Sequence, residues 1–271
     1  MPARAEQVDR DEILALAVDL ATRAATVHAD GRRTLLHVEE KGSPFSLVTQ
    51  VDREAERVVV DGIVAVRPDD EILGEEGTSR PGTSGLRWIV DPLDGTANYV
   101  YGYPAHSVSI GIEIDDVLEV GVVFDTGRDV LYAAVRGRGA TANGDPIAAS
   151  DKDELATALV ATGFSFDLAL RTRQGETLTR ILANVRDIRR SGAASIDLVS
   201  VATGAVDAYY EGALALWDVA GGAVIAEAAG ATVLRSAVDG YHGIGVIGAN
   251  PRLLDPLTQL LGEGGFELER R

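Results

Sequence analysis

The chain has 271 residues, of which 46% are apolar and 25% charged, enough for a sizeable core and too apolar for disorder. Its 42 acidic against 25 basic residues leave a formal net charge of −17, which repels nucleic-acid phosphates and anionic lipid, and no basic run exceeds the pair Arg189-Arg190. Cysteine is absent and the four histidines include no i, i+4 pair, which excludes disulfide frameworks, thiolate sites, cysteine nucleophiles and zinc helices; any metal is a hard cation held by oxygen, such as Mg²⁺.

Ile13, Leu16, Ala17, Leu20 and Ala24 recur at helical spacing and predict an amphipathic helix over about 8–30. That apolar run is short and broken by Asp11, Glu12 and Asp19, so it reads as neither a signal peptide nor a membrane span, and the expectation is a soluble cytoplasmic protein. A second helix is expected from Asp52 to about Val66, stopping before Pro68. Glu71-Ile72-Leu73 and Trp88-Ile89-Val90 read as short strands. Segments 107–114, 117–125 and 130–135 alternate with turns at Asp115-Asp116 and Thr126-Gly127, a mostly antiparallel meander.

Gly144-Asp145-Pro146 breaks this pattern and marks the expected boundary between a domain over 1–145 and one over 146–271. Beyond it, 158–162, 188–190, 205–210 and 231–234 read as extended, and 172–185, 193–203 and 219–229 as helical. No element is assigned beyond Leu234. Strands and helices intermix without a repeat, which indicates a mixed α/β or α+β layered fold.

Chemistry concentrates at Asp91-Pro92-Leu93-Asp94-Gly95-Thr96, directly after an apolar strand. Two carboxylates three residues apart on a proline turn can face one pocket, and Thr96-Ala97-Asn98 can open a helical turn whose N–H groups suit a phosphate. Carboxylates beside a phosphate repel it unless a divalent cation lies between them. Alone, the motif reads first as a proline turn with Asp94 as a helix cap.

The stretch Trp88-Ile89-Val90-Asp91-Pro92-Leu93-Asp94-Gly95-Thr96-Ala97-Asn98-Tyr99 resembles the first signature of the inositol monophosphatase family. Trp217-Asp218-Val219-Ala220-Gly221-Gly222, running on to Gly230, resembles its second. Gly74-Glu75-Glu76 and Leu47-Val48-Thr49-Gln50-Val51-Asp52 match in order and spacing, so the likeness runs from about Lys41 to Leu234. It implies a layered α/β/α/β/α sandwich of the sugar-phosphatase type, a Mg²⁺ cofactor, a homodimer and inhibition by Li⁺.

The resemblance also implies roles. Glu75, Asp91, the Leu93 carbonyl, Asp94 and Asp218 match metal ligands. Asp52 and Thr96 match the pair that orients and deprotonates the attacking water, with Glu75 counted among the catalytic groups. Gly95 and Thr96 would offer N–H groups to the phosphate. Gly192, Ala193, Ala194, Glu211 and Asp218 fall where the family contacts substrate, and Lys41 matches a lysine on a loop near the metals. Singly, these residues have plainer readings: Asp52 and Asp218 as helix starts, Glu75 as a solvated loop charge, Glu211 in a surface ion pair. Taken jointly and in order, the functional reading prevails.

Three departures stand out. Ala229 replaces a family glycine and is tolerated if its φ is negative. Ala215 stands where relatives often carry a larger or polar side chain, and the loop 78–85 is rich in Gly, Ser and Pro. Inositol 1-phosphate is the expected substrate, with histidinol phosphate, fructose 1,6-bisphosphate and 3′-phosphoadenosine 5′-phosphate as alternatives. Arg171, Arg173 and Arg190 are the cations able to meet a second phosphate. A non-catalytic metal-stabilised binding protein is the distant alternative; it would have lost Asp52, Thr96 or a metal carboxylate, and none is lost.

Overall fold

The computed structural model describes residues 8–40, 46–238 and 242–269. Helix α1 (Arg10–Gly31) begins where the Asp9 carboxylate accepts the N–H groups of Asp11 and Glu12, and it buries the expected apolar stripe together with His28. After the antiparallel pair β1 (Val38–Glu40) and β2 (Leu47–Thr49) comes α2 (Gln50–Val66), capped reciprocally by Thr49 and Asp52. Both helices pack on one face of the first sheet through Leu20, Ala24, Ala55, Val59, Trp88 and Ile110.

That sheet contains β3 (Glu71–Gly74), β4 (Ser79–Arg80) and β5 (Leu86–Asp94), then, after the short helix α3 (Thr96–Tyr101), β6 (Ser107–Ile114), β7 (Val117–Asp125), β8 (Val130–Val135), β9 (Ala140–Ala142) and β10 (Asp145–Ile147). Its strand order is β10-β9-β8-β7-β6-β5-β3-β4, antiparallel except for β3 beside β5. The three meander strands have the expected limits because their turns are unambiguous: Asp115 and Asp116 both take left-handed φ, 50° and 64°.

The second sheet takes β11 (Leu159–Thr162), β12 (Asp187–Arg189), β13 (Ala208–Leu214), β14 (Thr232–Ser236) and β15 (Ile244–Ala249), in the order β12-β11-β13-β15-β14. Helix α4 (Leu168–Leu182) links β11 to β12, α5 (Ala194–Ala202) links β12 to β13, α6 (Leu216–Ala228) links β13 to β14, and α7 (Pro251–Glu263) follows β15. Helix α4 starts earlier than expected because Asp167 accepts the Leu170 N–H and caps it there. Strand β15 and helix α7 were not anticipated. Asn250 caps α7 and Pro251 occupies its first turn, where a missing N–H costs nothing.

Helices α5 and α6 lie between the two sheets, and α7 covers the far face of the second, so the layers run α/β/α/β/α. A helix covered on both sides must be apolar all round, and α6 buries every residue from Val219 to Ala226. The approach is close: a Cβ on Gly121 of β7 would fall 2.4 Å from the Gly221 carbonyl of α6. Ala229 has φ −81°, so only Gly230, at +96°, needs glycine at the helix end. Among the described residues no helix is long and apolar enough to cross a membrane.

Candidate active site

The site is built around an irregularity in β5. Asp91 pairs with Ser109 and Asp94 with Ser107, so β5 carries one residue more than β6 across this step. Proline has no N–H for a ladder, and the extra residue makes the strand bulge and re-aim its side chains. The Leu93 N–H turns inward to the Asp91 Oδ1 at 3.0 Å. Gly95 then takes φ +86° at the entry to α3, where a Cβ would meet the Ala105 carbonyl at 2.7 Å.

Glu75, Asp91 and Asp218 each bring a carboxylate oxygen to within 4.8 Å of the others. They arrive from the loop after β3, the β5 bulge and the first turn of α6. Asp94 adjoins them and is oriented by the N-terminus of α5, its Oδ2 accepting the Ser195 N–H at 2.8 Å and the Ser195 hydroxyl. Burial pushes the carboxyls of Asp91, Asp94 and Asp218 above the usual range, and repulsion from neighbouring carboxylates adds to this for Asp91 and Asp218.

Asp52 lies behind this group. Its Oδ2 accepts the Thr49 N–H (2.8 Å) and hydroxyl (2.6 Å), and its Oδ1 lies 2.9 Å from the Thr96 hydroxyl. Burial raises its carboxyl. Thr96 Oγ1 is also 3.0 Å from the Leu93 carbonyl, and one hydroxyl proton cannot serve both acceptors. With Asp52 ionised, the carboxylate is the stronger acceptor.

Glu75, Asp91, Leu93, Asp94, Gly95, Thr96 and Asp218 line a cleft of about 230 Å³ together with Gly192, Ala193, Ala194 and Glu211. The cleft thus draws on both the 1–145 and 146–271 portions of the chain. Glu211 is no surface ion-pair partner: Tyr209 donates to its Oε2 at 2.8 Å, and burial pushes its carboxyl up to about 7. Gly163 makes room for it, since a Cβ there would lie 2.0 Å from the carboxylate. Arg190 reaches the cleft; Arg171 instead donates to the Ser165 carbonyl. Ala215 donates its N–H to Asp218, and the neighbouring Ala213 and Leu214 form the wall. Lys41 lies outside the described residues.

Sequence reasoning missed several contributors. Ser195 holds Asp94 and meets Ser107 at 2.7 Å. Glu56, buried on α2, accepts the N–H groups of Glu76 (2.8 Å) and Thr78 (3.2 Å) and so shapes the loop that carries Glu75. Gly74 exists for that approach, because a Cβ would strike the Glu56 carboxylate at 2.4 Å. The Glu56 spacing, four residues after Asp52 on one helix face, was the available signal. Phe164, Phe166 and His242 also line the cleft, and no motif pointed to them.

The donor set fits Mg²⁺. It is all oxygen, its carboxylates are crowded and uphill to ionise together, and a divalent cation relieves that repulsion.

Comparison with known proteins covers nearly the whole chain. The family model described as the inositol monophosphatase family matches residues 9–261. The inositol-1-monophosphatase SuhB of Mycobacterium tuberculosis is 41% identical over 83% of this chain and 81% of its own. The Nus factor SuhB of Pasteurella multocida is 38% identical over 82% and 84%. The crystal structure of the extragenic suppressor protein suhB from Bartonella henselae superposes with a TM-score of 0.87 at 32% identity, covering 93% of this chain and 99% of that one. A whole-length family match, relatives this close and the shared layered fold lead to one conclusion: the chain belongs to the inositol monophosphatase family, a family of phosphatases.

Proposed function

We propose that this protein is a Mg²⁺-dependent phosphate monoester hydrolase acting on inositol 1-phosphate, releasing inositol and phosphate. The observation that carries the reading is the convergence of Glu75, Asp91 and Asp218 beside the Asp52–Thr96 pair, with Glu211 in the same cleft. Bound Mg²⁺ would supply Lewis-acid stabilisation of phosphoryl charge and acidify water. Glu75, Asp91, the Leu93 carbonyl, Asp94 and Asp218 would hold it. Gly95 and Thr96 receive the phosphate at the start of α3, beyond the bulge. Thr96, donating to Asp52, presents its oxygen lone pairs to a water, and Asp52, with a carboxyl raised by burial, takes the proton. Glu211 accepts from hydroxyls of the alcohol part, while Gly192, Ala193 and Ala194 leave room for its ring. The working unit is a homodimer, which sedimentation velocity tests directly.

The test is phosphate release with Mg²⁺ from inositol 1-phosphate, histidinol phosphate, fructose 1,6-bisphosphate and 3′-phosphoadenosine 5′-phosphate, compared by kcat/KM with EDTA as the blank. A preference for inositol 1-phosphate is expected. Preference for another ester keeps the metal chemistry and replaces the substrate. Silence across the panel favours the binding-protein reading, which a relative named as a Nus factor keeps in view.

A further inference from the structure

Behind the β5 bulge lies a buried polar cluster outside the cleft. His28, in the last turn of α1, and His106, just before β6, are each 1% exposed. His28 Nε2 lies 2.9 Å from the Pro92 carbonyl and its Nδ1 2.9 Å from Thr126 Oγ1. His106 Nδ1 lies 2.8 Å from the same hydroxyl, and its Nε2 2.6 Å from an Arg32 nitrogen. The Arg32 guanidinium stacks over the Tyr99 ring at 4.7 Å, and the Tyr99 hydroxyl donates to the His28 carbonyl at 2.6 Å.

Valence fixes every proton in this chain. A carbonyl only accepts, so His28 Nε2 carries a hydrogen and donates it to Pro92. Arginine only donates, so His106 Nε2 is bare and His106 Nδ1 carries the hydrogen. Thr126 therefore accepts from His106 and donates to His28 Nδ1. The competing acceptor for that hydroxyl, the His106 carbonyl, is farther at 3.3 Å, and choosing it would leave His28 Nδ1, at 2.9 Å, without a donor. The direction is unbroken: Arg32 to His106 to Thr126 to His28 to Pro92. Both imidazoles are held neutral, His28 down to about 4 and His106 to about 3, chiefly by burial and further by Arg32.

The receiving atom matters. Pro92 and Leu93 have no paired residue in β6, so the bulge takes the Pro92 carbonyl out of the strand register. The Pro92–Leu93 peptide is then gripped on both sides, its C=O by His28 and its N–H by Asp91 Oδ1. This peptide lies between Asp91 on one side and the Leu93 carbonyl and Asp94 on the other, so its tilt bears on how those groups converge.

We infer that His28, aligned by Thr126, His106 and Arg32, is a positioning residue that sets the metal-binding geometry of the Asp91–Asp94 turn through its hydrogen bond to the Pro92 carbonyl. The inference rests on the Mg²⁺ reading of the site. Groups behind a metal's ligands typically change its affinity about 10–100-fold when removed. The experiment is calorimetric titration of the metal-free protein with Mg²⁺, alongside kcat and KM for the best ester of the panel, on wild type, His28→Leu, His28→Gln and Thr126→Val. Gln can place an N–H where Nε2 stands; Leu cannot. The expected result is Mg²⁺ affinity about 10-fold or more weaker in His28→Leu, within about threefold of wild type in His28→Gln, and intermediate in Thr126→Val.

Should His28→Leu fail to fold, Thr126→Val and His28→Gln carry the comparison, and a Thr126→Val protein with unchanged Mg²⁺ affinity overturns the inference. Wild-type affinity in His28→Leu, or equal weakness in the Leu and Gln variants, overturns it as well, leaving only a packing role. Wild type that binds no Mg²⁺ removes the metal reading itself and the inference with it. Nitrogen-15 NMR of the imidazoles gives an independent readout: hydrogen on Nε2 of His28 and on Nδ1 of His106 is expected, and the opposite tautomers break the chain.

Discussion

Several site carboxylates each commit one oxygen to a backbone N–H. Asp91 Oδ1 holds the Leu93 N–H, Asp218 Oδ2 the Ala215 N–H, and Asp94 Oδ2 the Ser195 N–H. Capping and the proposed metal binding are thus not rivals at Asp218; the third residue of a helix can cap and still present an oxygen. Changing Asp94 to Asn keeps its shape while removing a ligand charge, so kcat is expected to fall by about three orders of magnitude or more with little loss of melting temperature. Near-wild-type turnover would remove Asp94 from the metal set. On the proposed mechanism the Thr96 hydroxyl acts on water rather than on substrate affinity. Thr96→Ala should therefore lower kcat about 100-fold with KM nearly unchanged, and Thr96→Ser should restore most of it. A KM effect without a kcat effect would assign Thr96 to binding alone.

Among the elements, legibility followed locality. The meander of β6, β7 and β8 was readable because strand alternation and turn residues are neighbours in sequence. The ligand turn was readable because Asp91 to Thr96 is one contiguous motif. Helix α7 was not read, although Asn250-Pro251 is a helix-start signature, because Pro251 and Pro256 suggest a loop when taken alone. The chain from Arg32 to Pro92 was unreadable in principle, since nothing local joins positions 28, 92, 106 and 126. Helix α6 was legible as a small-residue helix, but its cause emerges only when two sheets close on it. That closeness predicts the cost of intrusion. Gly121→Ala drives a Cβ toward the Gly221 carbonyl, a backbone atom that cannot swing away, and should destabilise the protein by about 1–3 kcal/mol in urea unfolding. An unchanged midpoint would mean the layers slide apart freely.

Across the whole molecule, a site that concentrates carboxylates works against the stability of its own metal-free form. Glu211 shows the effect: burial raises its carboxyl and repulsion from Asp94 adds to this, while the Tyr209 hydroxyl and Arg190 oppose it. Its folded carboxyl titrates near 7, against about 4.5 when unfolded. Between these values the native state holds the proton and the unfolded chain has released it, so native stability falls as pH rises through this window. The full difference corresponds to about 3 kcal/mol above pH 7, and screening by water at the open cleft reduces it to about 2. Glu211→Gln removes the titration at nearly constant shape. In EDTA it should therefore be more stable than wild type at pH 8, by about 1–2 kcal/mol in urea unfolding, with the gap closing toward pH 5. His28 and His106 act in the opposite sense: protons that the unfolded chain takes up below about 6.5 are refused by the fold until about 4 and 3, so stability drops as pH falls through that range. They are common to both proteins and cancel in the difference. A gap that is independent of pH would mean that Glu211 is ionised throughout, and the carboxyl proposed to meet the substrate alcohol would then be an ordinary acceptor at every working pH.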